Sequence, residues 1–178
     1  RASGSASGWP QVVVPEPKLS EQRVDTGEPA LASYQVPTNA GQVASGFVEF
    51  GGERDRYRGA YESLQERRYK QAVNGFQSFV RDHPKSDYAD NAQYWLGESY
   101  YVTRDFDNAL LEFSRVIENY PTSTKVADAQ LKIGYVYYEQ RRWALARQTL
   151  ESVGYEHQGT RAAELAFKRL QRLEREGY

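Results

Sequence analysis

The sequence predicts an all-α solenoid of three stacked helix pairs and a closing helix, preceded by an irregular tail. Three observations predict it. Apolar residues recur at helical spacing through residues 53–178. Two prolines in that region, Pro84 and Pro121, lie 37 residues apart. Shifting residues 69–105 by 37 brings ten residues onto identical partners: Ala72/Ala109, Phe76/Phe113, Pro84/Pro121, Ser86/Ser123, Ala92/Ala129, Gln93/Gln130, Gly97/Gly134, Tyr100/Tyr137, Tyr101/Tyr138 and Arg104/Arg141. A fixed period of this size, each unit long enough for two helices, is the signature of a stacked-repeat architecture.

The elements follow in order. Residues 1–52 hold five of the seven prolines and seven of the fourteen glycines, with 3 basic and 5 acidic groups. This composition reads as a linker or tail without a core of its own. Pro15 and Pro17 favour extended chain there, and residues 42–50 alternate loosely enough to pair as a short strand if an edge were offered. Beyond residue 52 the expected helices are roughly 54–66, 69–82, 87–103, 106–119, 124–140, 143–156 and 160–176. They give repeats at about 53–86, 87–123 and 124–160 and a closing helix at 160–176. In each second helix a small residue precedes Phe or Leu by one turn (Ala72/Phe76, Ala109/Phe113, Ala146/Leu150), which permits close packing on the first helix. Pro84 and Pro121 stop their helices. Ser86/Asp87, Ser123/Thr124, Asp105 and Thr160 are the expected N-terminal caps.

Composition excludes much chemistry. The 178 residues carry 23 basic and 24 acidic side chains, a net charge of −1, which gives nucleic acid no bulk attraction. Mean hydropathy is −0.79, and no apolar run approaches the length of a membrane span. The absence of Cys removes disulfides, thiol nucleophiles and Cys-based zinc sites, and fits an oxidising compartment. The chain starts at Arg1 and not at Met, which points to a removed leader or a cut piece. The two histidines, His83 and His157, are two periods apart and suit helix ends better than a metal or a catalytic base. No catalytic residue, metal ligand or cofactor is expected. No phosphate-binding loop and no nucleophile elbow is present. The basic run over 161–175 reads as a solvated helix face, with a patch for an acidic partner as the alternative.

Tyrosine is the outlier, at 14 residues. Projected at 100° per residue from Asn91, the helix around residues 87–103 places Ala92, Leu96, Ser99 and Tyr100 on a packed side. Tyr94, Glu98 and Tyr101 fall beside Asn91 on a second face. Equivalent offsets give Asp128, Leu131, Tyr135 and Tyr138 in the next unit, and Tyr57 and Tyr61 in the first. These ten residues are the expected partner-binding groove on the concave side. In the competing reading the same rings fill space between repeats, and in the first unit Tyr57, Ala60, Tyr61 and Leu64 face the core.

The pattern resembles the tetratricopeptide (TPR) repeat. Leu96-Gly97-x-x-Tyr100, Ala109, Phe113 and Pro121 match it within one unit, and Ile133-Gly134-x-x-Tyr137, Ala146 and Leu150 in the next. The period of 37 exceeds the usual 34, and Gln158 stands where a third proline would fall. The runs HPKSDYADNAQYWLGESYYVTRDFDNAL and YPTSTKVADAQLKIGYVYYEQRRWALA narrow the resemblance to the C-terminal domain of the CpoB (YbgF) family, over nearly all of 57–176. These are periplasmic TPR proteins of the Tol-Pal system. The resemblance implies a non-enzymatic scaffold in the periplasm. Its implied partners are TolA and a bifunctional peptidoglycan synthase, and its implied role is to coordinate wall synthesis with outer-membrane constriction. Family members carry an N-terminal trimerising coiled coil. Residues 1–52 show no apolar heptads, so trimerisation is not carried over. The outer-membrane assembly lipoprotein BamD has a related pattern and gives the alternative function. An adaptor within an envelope enzyme and a self-associating module are further alternatives.

Overall fold

The computed structural model describes residues 52–178, which fall within one unit, Glu49–Tyr178. The expected tail and the strand over 42–50 lie outside the described residues. Among the described residues there are seven helices and no strand: α1 (Glu53–Gln65), α2 (Tyr69–Asp82), α3 (Ala89–Val102), α4 (Phe106–Asn119), α5 (Val126–Glu139), α6 (Trp143–Glu156) and α7 (Arg161–Arg175). The pairs α1–α2, α3–α4 and α5–α6 pack face to face. Each second helix also packs on the next first helix, and α7 lies on both α5 and α6.

The small residue and its neighbour one turn on are the reason the pairs close. Ala72, Phe76, Ala109, Phe113, Ala146 and Leu150 are all completely buried. Each fully buried Phe or Leu contributes about 1.5–3 kcal/mol by leaving water. The facing helix must come close to reach them. A Cβ on Gly97 would lie 2.7 Å from the Phe113 ring, and one on Gly134 would lie 2.8 Å from Leu150. The first unit solves the same problem with the small residue on the other helix. Ala60 stands where Gly97 would be, and Gly75 makes room, since a Cβ on Gly75 would lie 2.8 Å from that of Ala60. On α7 the corresponding positions hold Gln171 and Glu174, both exposed, in place of the Gly and Tyr that receive a second helix in α3 and α5.

Helix ends follow local chemistry, with one correction. Asp105 caps α4 by accepting from the Asn108 amide at 3.4 Å, and Thr160 caps α7 by accepting from the Ala163 amide at 3.3 Å. Ser86 and Ser123 do not cap. Their hydroxyls accept from the amides two residues on, Tyr88 at 3.3 Å and Lys125 at 2.9 Å, and so close a turn before the helix. Helices α3 and α5 consequently start at Ala89 and Val126, two residues later than expected. His83 and His157 sit at the C-caps of α2 and α6.

Candidate functional site

The first helices α1, α3 and α5 carry the expected groove. Burial divides it. Tyr57, Tyr61, Tyr94, Glu98, Leu131 and Tyr138 are buried, while Asn91, Tyr101, Asp128 and Tyr135 are half-buried. Tyr57 and Tyr61 belong to the core: Tyr57 meets Phe76 and Phe79 edge-on at about 6 Å between centroids. Tyr94, Glu98, Leu131 and Tyr138 are buried to the same degree, so the expectation that these six side chains line an open groove is corrected by their burial. Burial pushes the Tyr94 and Tyr101 phenols up, well clear of any role as acids near neutral pH.

The rings are used between repeats, and the arrangement recurs every 37 residues. Trp95 of α3 meets Tyr61 of α1 edge-on at 5.2 Å. In the next step Lys132 of α5 lies 5.3 Å from the Tyr101 ring centre of α3, and its Nζ donates to Glu98 Oε2 at 2.8 Å. One step further, Arg169 of α7 stacks over Tyr135 and Tyr138 of α5 at 4.2 and 4.6 Å. Position 95/132/169 thus reads Trp, Lys, Arg and always leans on the preceding first helix. The sequence reading missed Trp95 and Lys132, and took Arg169 only as part of the basic run over 161–175. Their shared period was visible in the sequence, and on the helical projection Trp95 falls only 40° from Asn91.

Helix α3 is also where polar atoms lack partners. Four buried side-chain atoms of the described residues have no hydrogen bond: Asn91 Oδ1, Trp95 Nε1, Glu98 Oε1 and Gln140 Oε1. Three of them belong to α3 at spacing i, i+4, i+7, which puts them on one stripe of the helix. Tyr61 of α1 borders that stripe on one side and Lys132 of α5 on the other. An unmade hydrogen bond on a buried group costs about 1–3 kcal/mol. These three atoms are closed off from solvent, so the accessible part of the expected groove is its half-buried set, Asn91 and Tyr101 on α3 and Asp128 and Tyr135 on α5. Among the described residues no group of three or more His, Asp or Glu is placed to hold a metal ion.

Fold and repeat together define a helical-repeat module of the tetratricopeptide kind. Residues 52–175 match the family model described as YfiO, outer membrane lipoprotein, and the chain belongs to that family. Over 46 residues it is 41% identical to the cell division coordinator CpoB of Pseudomonas putida. That stretch covers 26% of this chain and 17% of that protein. Among solved structures, the Arabidopsis OM64 TPR domain superposes with a TM-score of 0.56 at 13% identity, covering 67% of this chain and 94% of that one. A chain of the CopN-Scc3 complex gives 0.54 at 14% identity, covering 68% and 66%. At such identities the structural likeness establishes the fold alone. No helix among the described residues is long and apolar enough to cross a membrane.

Proposed function

We propose that this domain is a non-enzymatic scaffold that seats a segment of a partner protein along the first helices, centred on α3. The observation that carries the reading is the accessible part of the expected face: Asn91 and Tyr101 on α3 and Asp128 and Tyr135 on α5 are all half-buried. The tyrosine rings offer apolar area with a hydrogen-bonding tip, beside the carboxamide of Asn91 and the carboxylate of Asp128. The likeness to a cell division coordinator supports the finer reading: a periplasmic protein of the Tol-Pal system that binds TolA, meets a bifunctional peptidoglycan synthase, and links wall synthesis to outer-membrane constriction. The family description, outer membrane lipoprotein, favours a second reading as a BamD-like component of outer-membrane protein assembly. A lipid-bearing Cys upstream in the gene discriminates for that second reading.

The test is calorimetric titration with the soluble periplasmic part of TolA, using the native chain and Tyr101→Phe. Phenylalanine keeps the ring and deletes the donor. Folding stability should stay level, because the ring and its packing are kept, while partner affinity falls by about tenfold. Equal affinity of both proteins removes α3 as the contact. Absence of binding by the native chain removes TolA as the partner and leaves the fold untouched.

A further inference from the structure

Each first helix ends in the same way. The residue after the C-cap of α1, α3 and α5 lies in the left-handed region: Arg67 at φ 60°, Arg104 at 62° and Arg141 at 58°. Its amide donates to the carbonyl three residues back, and the following amide reaches back five. Arg67 and Arg68 bond Leu64 and Ser63 at 3.0 and 2.8 Å. Arg104 and Asp105 bond Tyr101 and Tyr100 at 3.0 and 2.9 Å. Arg141 and Arg142 bond Tyr138 and Tyr137, both at 2.9 Å. This double closure needs a left-handed residue, where glycine is relaxed and a side chain is strained. The same chain also uses the relaxed solution. Helix α7 closes with the equivalent bonds, from Gly177 to Glu174 and from Tyr178 to Leu173, and has Gly177 at φ 83°. Three times at a period of 37 residues, the chain holds an arginine where the backbone favours glycine. Strain that recurs with one side-chain type calls for a role of that side chain.

Local contacts account for one of the three. Arg104 lies 5.2 Å over the Phe106 ring and 3.9 Å from Glu139. Arg67 and Arg141 are exposed, and the ion pairs and ring contacts of the described residues include neither. Their chain neighbours are engaged, Arg68 with Glu66 at 2.6 Å and Arg142 over the Tyr137 ring at 5.0 Å. Stacking of the helix pairs sets the three turns along one edge, successive units roughly 10 Å apart. A partner α-helix rises about 10 Å in seven residues. The edge also carries Glu66, Asp105, Asp107 and Glu139, so it offers no uniform positive field to a membrane surface. What it offers is a series of discrete guanidinium forks, those of Arg67 and Arg141 without a local carboxylate and that of Arg104 held loosely by Glu139 at 3.9 Å.

We propose that Arg67, Arg104 and Arg141 form a rail that grips an acidic helical segment of a partner protein, one carboxylate per repeat. The rail lies at the turns closing the first helices and does not depend on the half-buried face of α3 and α5. The experiment replaces all three residues in the full chain, as Arg67→Gly/Arg104→Gly/Arg141→Gly. The probe is a fluorescein-labelled 21-residue alanine-based helix with Glu at every seventh position. The control peptide has the same composition with its Glu residues adjacent. Fluorescence anisotropy at low salt should show the native chain preferring the periodic peptide. The triple glycine variant should bind it about tenfold more weakly, the sum of three exposed pairs. Its thermal midpoint should hold or rise, because glycine relieves the three strained turns. Four results would each overturn the rail: undiminished binding by the variant, no preference for the periodic peptide, a midpoint lowered by several degrees, or tighter binding to phosphatidylglycerol vesicles than to the peptide.

Discussion

Replacing glycine by alanine in the middle of a helix should act with opposite sign at two positions. At Gly59, mid-helix in α1, a new Cβ meets nothing within 4 Å. Only the propensity difference remains, so Gly59→Ala should stabilise by up to about 1 kcal/mol. At Gly97 the same Cβ would lie 2.7, 2.8 and 3.1 Å from three atoms of the Phe113 ring. That ring is completely buried and already has Tyr94 at 5.6 Å, so it has little room to yield. Overpacking costs about 1–3 kcal/mol, and the propensity gain offsets about 1 of it. Gly97→Ala should therefore destabilise by up to about 2 kcal/mol, a fall in melting temperature of up to roughly 8 °C for a domain of this size. Gly134→Ala should destabilise to a similar degree, because the new Cβ would meet both a methyl of Leu150 at 2.8 Å and its branch carbon at 2.9 Å, and that side chain is completely buried. Urea denaturation followed by far-ultraviolet circular dichroism measures all three. Equal shifts at Gly59 and Gly97 would refute the claim that close helix approach at Gly97 holds the second repeat together.

Two further outcomes test the electrostatics. Lys132→Ala strips the buried Glu98 of its 2.8 Å partner and should cost about 3–5 kcal/mol, whereas Glu98→Leu/Lys132→Met should recover most of that; a double variant as unstable as the single one contradicts the pairing. Burial pushes the Glu112 carboxyl above its ordinary range, against the opposing pull of Arg115 at 2.9 Å and the amide of Gln93. The folded state then binds more protons than the unfolded chain once the pH exceeds the ordinary carboxylate range, so Glu112 loses stability for the fold as pH rises through that window. Glu112→Gln should remove this loss, so its denaturation midpoint relative to the native chain should improve between pH 4 and pH 7; a constant difference would show that Glu112 does not titrate in that way.

The repeat and its helices were legible because they are local. Pro84 and Pro121, the pairs Ala72/Phe76 and Ala109/Phe113, and the period of 37 place five of the seven helix starts within one residue of those observed. The two starts that moved, at Ala89 and Val126, depend on whether a serine hydroxyl reaches the second or the third amide ahead, which is a matter of backbone geometry. The groove was legible only in part. A helical projection shows which residues share a face but not what leans on that face. Trp95, Lys132 and Arg169 cover it from the next first helix, and they bury or engage much of the expected tyrosine surface. By itself, then, the sequence determined the period, the helices and the absence of thiol chemistry, since each depends on residue type and spacing along the chain. Only the tertiary structure decided which tyrosines are core, which atoms of α3 go unpaired, and that arginine holds a glycine's place at three turns. Those depend on contacts between residues about 37 apart and on backbone angles, and a linear pattern encodes neither.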